Sequence, residues 1–206
     1  MDDFYNRYPQ LLTCRDSIES AVKNLIDVFE SGGKLLICGN GGSAADSEHI
    51  AGELLKGFLL DRKLACAEKE RLKANNPNIS ERLLASLQMG LPAIPLVSFT
   101  AFSTAFANDA EPTLTFAQAV YALCNEGDAL LCISTSGNSE NCVSAAQIAK
   151  ACGALVISLT GRDDSKLYEI SDVTVHAPEV ETYKIQEYHL PIYHKICVDL
   201  EHHFFR

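Results

Sequence analysis

Residues 35–57 read LLICGNGGSAADSEHIAGELLKG. The apolar run LLIC ends in glycines, and a helix-like stretch follows from Ala44 to Phe58. A short, continuously apolar segment bounded by glycines suits a strand buried on both faces of a sheet. The segment before it, residues 15–31, places Ile18, Val22, Ile26, Val28 and Phe29 on one 3.6-period face, so it predicts an amphipathic helix stopped by Gly32 and Gly33. Further along, DALLCIS (128–134) repeats the pattern, followed by the polar turn STSGNS and a helix over 140–151. ALVISLTG (154–161) and DVTVHAP (172–178) supply two more strands, and PAIPLVSF a weaker one suited to an edge by its prolines. Residues 113–125 predict a helix, as do 59–73 and ERLLASLQMG, the last opened by Ser80 as N-cap and closed at Gly90. A final helix runs from about Thr182 to Phe205, interrupted at Pro191. Strands alternating with helices predict an α/β fold, a parallel sheet covered on both faces, with an extra leading helix.

The chain has 206 residues, enough for one well-buried α/β domain, and no linker or repeat divides it. Hydrophobic content of 47% with 21% charged residues fits a folded globular protein. A net charge of -10 argues against a nucleic-acid or anionic-membrane partner, since both need a basic face. No stretch reaches the roughly 18 apolar residues of a membrane span. The start, MDDFYNRYPQ, lacks the apolar core of a secretory signal, so a cytoplasmic location is expected. The eight cysteines are scattered without a C-x-x-C pair and read as buried free thiols.

The chemistry concentrates in two turns, CGNGGSAADSEH and ISTSGNSENC. Ligands of open parallel sheets sit outside the carboxyl ends of the strands, where both turns fall. Each turn offers free backbone N–H groups at a helix N-terminus, which attracts anions. Ser134, Thr135, Ser136 and Ser139 add four hydroxyls within six residues, without a lysine. That set suits a phosphate monoester held by neutral donors. The competing reading is an ordinary turn with Ser139 as N-cap, for which one serine would suffice. Gly39, Gly41 and Ala44 also satisfy the dinucleotide pattern G-x-G-x-x-G/A. The acid that would hold a ribose, Asp61, follows no convincing strand, and no G-K-[ST] occurs, so no nucleotide cofactor is expected.

His49 and Glu53 lie four apart on one helical face, which in an arbitrary helix would be a solvated pair. Here they follow a ligand-binding strand end within two turns. In KIQEYHLPIYHKIC, His189 and His194 are five apart, too far round a helix to share one face, so one of them is expected to serve a site. Pro191 between them marks either a site or a packing bend. A carboxylate, an imidazole and a phosphate seat together suggest proton abstraction next to the carbonyl of a sugar phosphate.

GNGGSAADSEHIAGEL, NEGDALLCISTSGNSENCVSAA, VISLTG and IQEYH with a further His at 194 together resemble the sugar isomerase (SIS) domain. Within it they are most similar to the phosphoheptose isomerases, which act on sedoheptulose 7-phosphate. The likeness spans residues 10 to 205. It implies a three-layer αβα sandwich with a flavodoxin-like sheet, and a homotetramer with active sites at subunit contacts. It implies Glu53 and His194 as catalytic residues, and His49, Glu53, Gln186 and His194 as ligands of one zinc per subunit. Ser134, Thr135, Ser136 and Ser139 match the phosphate seat, and Gln186 also matches a substrate contact. Asn40 and Ser43 match contacts from the first turn, whose Gly41 and Gly42 bring backbone close to the sugar. Asp109 matches an acidic residue near the sugar. Gln186 and His194 are eight apart, about 12 Å along an ideal helix, so a shared metal would need long reach or a distorted turn.

The sequence departs from the family in two places. The stretch from about Leu60 to Gly90 is longer than the family's connector and reads as a helical insertion in a single SIS domain. Tyr183 stands where some members carry aspartate. The expected activity is an aldose–ketose isomerase working through an enediol(ate) on sedoheptulose 7-phosphate. Two other readings are a non-catalytic SIS protein, sensing a sugar phosphate or binding the bacterial replication initiator, and an isomerase of another sugar phosphate.

Overall fold

The computed structural model describes residues 3–206. Its elements in order are α1 (Asp3–Arg7), α2 (Arg15–Glu30), β1 (Leu35–Gly39), α3 (Gly42–Leu55), α4 (Cys66–Asn75), α5 (Glu81–Ser86), β2 (Ala93–Pro95), α6 (Thr100–Asp109), α7 (Thr115–Leu123), β3 (Ala129–Ile133), α8 (Glu140–Ala151), β4 (Leu155–Thr160), α9 (Lys166–Ile170), β5 (Val173–His176) and α10 (Thr182–Phe205). The strands form one five-stranded parallel sheet in the order β2-β1-β3-β4-β5. This is the flavodoxin-like order, with its topological switch between β1 and β3.

Every residue of β1 and β3 is buried, as the apolar runs predict. Alternate residues feed opposite layers. Leu35 and Ile37 pack with Leu131, Ile133, α2, α3 and α10, whereas Leu36 and Cys38 pack with Leu130, Cys132, Val156, α7 and α8. Each fully buried leucine or isoleucine contributes about 1.5–3 kcal/mol. α3 and α8 therefore leave β1 and β3 on opposite faces, and their N-termini flank the switch point.

Several elements differ from the sequence reading. The helix opened by Ser80, whose Oγ accepts from Leu83 N, ends at Ser86 rather than Gly90. Beyond it Gln88 bridges to Lys63 and Met89 N–H donates to Arg62 O, which pulls the chain straight. α1, α6 and α9 have no counterpart in the sequence reading, and the helix expected over 59–73 begins only at Cys66, because the N–H groups of Phe58, Leu59 and Leu60 are drawn to Glu201 instead. α10 continues through Pro191, so the expected interruption does not occur. Five cysteines are buried, but Cys66 is exposed, and Cys124 and Cys152 are half-buried. Among the described residues no helix is long and apolar enough to cross a membrane.

His189 turns out to belong to the core. Its ring is fully buried, Nε2 lies 3.2 Å from Thr160 O, and Nδ1 has no hydrogen-bond partner among the described residues. Burial lowers it from 6.5 to about 4, against the bond to Thr160. The unfolded chain therefore binds the extra proton first. The neutral ring's stabilisation is complete above pH 6.5 and is lost as pH falls towards 4, a change of about 3 kcal/mol. Urea titrations between pH 7 and 4 should show His189→Gln losing that part of the wild-type slope. An equal slope in both proteins would refute the assignment.

Candidate active site

The first turn is shaped by close approach. A Cβ on Gly39 would lie 2.6 Å from Ser43 O, and Gly41 sits at φ 56. α3 then carries Asp46, His49 and Glu53 on one face at three- and four-residue spacing. α10 packs against α3 and lays Tyr193 and His194 beside that face. The Tyr193 hydroxyl donates to Asp46 Oδ1 at 3.3 Å and lies 2.9 Å from His49 Nδ1. With the hydroxyl proton committed to Asp46, Nδ1–H is the donor to Tyr193, and Nε2 faces the site. That Nε2 stands 3.2 Å from Glu53 Oε1 and 3.5 Å from His194 Nε2. Electron-rich atoms of three side chains are apposed there, an arrangement that favours a proton or a cation between them.

The electrostatics follow from the packing. Burial and His49 hold His194 below the ordinary imidazole range, with Glu53 opposing. A neutral ring at pH 7 can accept and return protons. Burial pushes Asp46 up, against its bond from Tyr193 and the influence of His49. Burial, then the charge of Asp46, pushes the Tyr193 phenol up, so it stays a protonated donor. The Glu53 side chain is 14% exposed, and Lys56 Nζ holds its second oxygen at 3.0 Å.

The second turn follows β3. Ser134 is buried and its hydroxyl pairs with that of Ser139 at 2.9 Å. Ser139 occupies the N-cap of α8 but makes no side-chain cap bond, so its hydroxyl does not satisfy the helix N–H groups as an ordinary capping serine would. Gly137 is required, since at φ 62 a Cβ would meet Ser165 Oγ at 2.0 Å. Ser136 is exposed, and its hydroxyl accepts from Asn138 N at 3.2 Å. Cys142 N–H donates to Asn141 Oδ1 at 3.0 Å, and the preceding N–H groups of this 12-residue helix, together with these hydroxyls, can hold a dianion.

The two turns are tied across the switch point. Asn40 and Asn141 exchange side-chain amide bonds of 2.9 and 2.8 Å. Ser43 is buried at the start of α3, and Gly41 and Gly42 are exposed beside it. Gln186 lies against this turn rather than with the histidines: its Nε2 would be 2.7 Å from a Cβ on Gly42. His49 is seven residues further along α3, about 10 Å. Asp109 sits exposed at the end of α6, accepting from its neighbour Asn108.

A tetrahedral zinc with Zn–N near 2.05 Å sets its ligand atoms about 3.3 Å apart. The His49–His194 and His49–Glu53 separations match that edge, and imidazole with carboxylate is apt zinc chemistry. Convergence is incomplete: among the described residues no group of three or more His, Cys, Asp or Glu side chains is arranged to hold a metal. Sequence reasoning missed Asp46, Tyr193, Asn141 and Lys56. The i, i+3 spacing of Asp46 and His49 was a usable signal, whereas Asn141 is recognisable only once the two turns are adjacent.

Comparison with known proteins first gives a class. Two family models match, each describing an SIS domain, over residues 8–83 and 103–194. The phosphoheptose isomerase of Helicobacter pylori strain P12 is 38% identical over 94% of this chain and 88% of that protein. That of Aliarcobacter butzleri is 36% identical over 90% of this chain and 84% of its own. The solved structure of phosphoheptose isomerase GmhA from Neisseria gonorrhoeae superposes with a TM-score of 0.75 at 30% identity, covering 97% of this chain and 95% of that one. A phosphoheptose isomerase from Francisella tularensis gives 0.74 at 30% identity, covering 98% and 97%. The chain belongs to the phosphoheptose isomerase family of SIS-domain proteins.

Proposed function

We propose that this chain is an aldose–ketose isomerase that converts sedoheptulose 7-phosphate into D-glycero-D-manno-heptose 7-phosphate. The observation that carries the proposal is the meeting of Glu53, His49 and His194, drawn from two helices, on one face of α3. Phosphate sits at Ser134, Thr135, Ser136 and Ser139 on the N-terminus of α8. Asn40, Ser43 and the backbone of Gly41 and Gly42 hold the sugar, with Gln186 lying over the same turn. Glu53 removes a proton from C1 of the ketose, giving an enediol(ate). His194, neutral at pH 7, moves protons between the sugar oxygens, and a proton returned to C2 completes the aldose. The Asp46–Tyr193 pair orients His49 behind them.

Zinc is part of the proposal through the donors His49, Glu53 and His194; Gln186, held against Gly42, stays with the sugar rather than with this set. When bound, zinc would polarise the sugar oxygens. Equilibrium dialysis should find about one zinc per chain, lost in His49→Ala; stoichiometric binding by that variant would remove His49 from the ligand set. Self-association, here read as a homotetramer, would cover α6, which buries no side chain and, with Phe99, Leu114 and Tyr121 nearby, exposes apolar surface. Asp109, on that same helix, would meet a sugar across such a contact. The whole chain is read as a single SIS domain, with residues 60–90 an excursion from it. Free thiols, Cys66 among them exposed, suit the reducing cytoplasm. The test is turnover: purified protein given sedoheptulose 7-phosphate should yield the aldose phosphate, and a screen of C5 to C7 ketose phosphates should rank it first. Faster turnover of another ketose phosphate would replace the substrate while keeping the reaction.

A further inference from the structure

We infer that Arg62, paired with Glu201, is a positioning residue that sets Glu53 and His194 against each other. The inference rests on the assignment of those two residues to the reaction. Arg62 opens the long 60–90 segment, where its charge suggests a solvated stretch. Instead its side chain, like that of Glu201, is 0% exposed.

Its guanidinium has three bonded edges. Nη1 donates to Leu54 O at 2.8 Å, Nη2 to Glu53 O at 3.0 Å, and Nε to Glu201 Oε1 at 2.6 Å. Leu54 and Glu53 carry two of the last carbonyls of α3, which a helix leaves without intrahelical partners. α3 has no glycine cap there, since Lys56 follows in extended backbone. The buried cation therefore closes the helix at the residue whose carboxylate takes the proton.

Glu201 holds the other side. Its carboxylate accepts from Phe58 N at 2.7 Å, Leu59 N at 2.7 Å and Leu60 N at 3.2 Å. The turn after α3 is thus folded back onto α10. Phe58 rests its ring on His194, with centroids 5.4 Å apart, and the Phe205 ring lies 4.5 Å beneath the Arg62 guanidinium. One ion pair links the backbone of Glu53 to the ring that packs on His194. The pair also supports the fold, since an apolar pair would leave three backbone N–H groups and two carbonyls without these partners, so its positioning role has to be read separately from stability. Only a planar fork spans two carbonyls and a carboxylate together, so lysine is no substitute.

The test uses the full chain with sedoheptulose 7-phosphate in D2O, comparing wild type, Arg62→Lys and the double variant Arg62→Met with Glu201→Met. Folded fraction is taken from unfolding curves. The expected result is a kcat per folded molecule at least about tenfold lower, with KM within about twofold because the phosphate seat lies on β3 and α8. The fraction of product carrying solvent deuterium at C2 should also change. An unfolded fraction cannot move that ratio. The double variant removes both charges together, and Glu201→Gln, which keeps an amide oxygen for the N–H groups of Phe58, Leu59 and Leu60, serves if neither of the others folds. Wild-type kcat and deuterium fraction in a folded variant would overturn the inference alone. A wild-type chain without turnover would overturn the proposed function and this inference with it.

Discussion

Glu53→Gln is expected to lower kcat by about 10²–10⁴-fold, the usual worth of a positioned general base. The substitution preserves shape and keeps hydrogen-bond partners for His49 and Lys56, which flank the carboxylate at 3.2 and 3.0 Å. It removes the capacity to accept a proton at neutral pH, together with the negative charge, so zinc content is measured alongside the rate. The phosphate seat is built from another strand and helix, so KM should stay within a few-fold. Stability should change by less than about 1 kcal/mol, since the Lys56 partner is well exposed and such pairs are weak. Steady-state kinetics with circular dichroism check both halves. A kcat within threefold of wild type would remove Glu53 from the mechanism.

Ser139→Asp should separate binding from folding. Aspartate is as good an N-cap as serine, and a carboxylate at a helix N-terminus adds about 0.3–1 kcal/mol. Thermal stability should therefore hold or rise. The same carboxylate faces the position proposed for the phosphate. Two like charges about 4 Å apart cost about 4 kcal/mol at an effective dielectric of 20, and the phosphate carries nearly two. KM should rise at least about 100-fold, which needs only ~2.7 kcal/mol. Ser139→Ala, which deletes one hydroxyl, should cost about tenfold. A wild-type KM in Ser139→Asp would move the phosphate elsewhere.

What could be read from the sequence followed from burial on both faces. LLICG, ALLCI and LVISLT read as strands of a covered parallel sheet, because each is short, bounded by glycines or a polar turn, and apolar apart from Ser158 and Thr160. Their glycine- and serine-rich ends then had to be turns at the ligand edge. α6 was not legible, since it buries no side chain in this chain and so has no inward stripe to show. α9 spans five residues, too few for a period to appear. Pro191 suggested a break, yet tertiary packing carries α10 through it. In the site, His49 and Glu53 were visible as an i, i+4 pair. Asp46 could have been found by its i, i+3 spacing to His49, but Tyr193 could not, because its bond to Asp46 joins residues far apart in the chain. Nothing in the sequence singles out Arg62 and Glu201; only the folded chain brings them together in the core. Gln186 illustrates the opposite case: its eight-residue distance from His194 placed it two turns away, and it does lie at Gly42.

The central claim is that this chain moves a proton between C1 and C2 of a seven-carbon ketose phosphate. Proton NMR of wild-type protein with sedoheptulose 7-phosphate in D2O reads this directly. The account predicts the appearance of the aldose 7-phosphate, with solvent deuterium at C2, and product forming at least about 100-fold more slowly with Glu53→Gln. A ketose left unchanged by folded wild-type protein, or product formed as fast with Glu53→Gln, would contradict it.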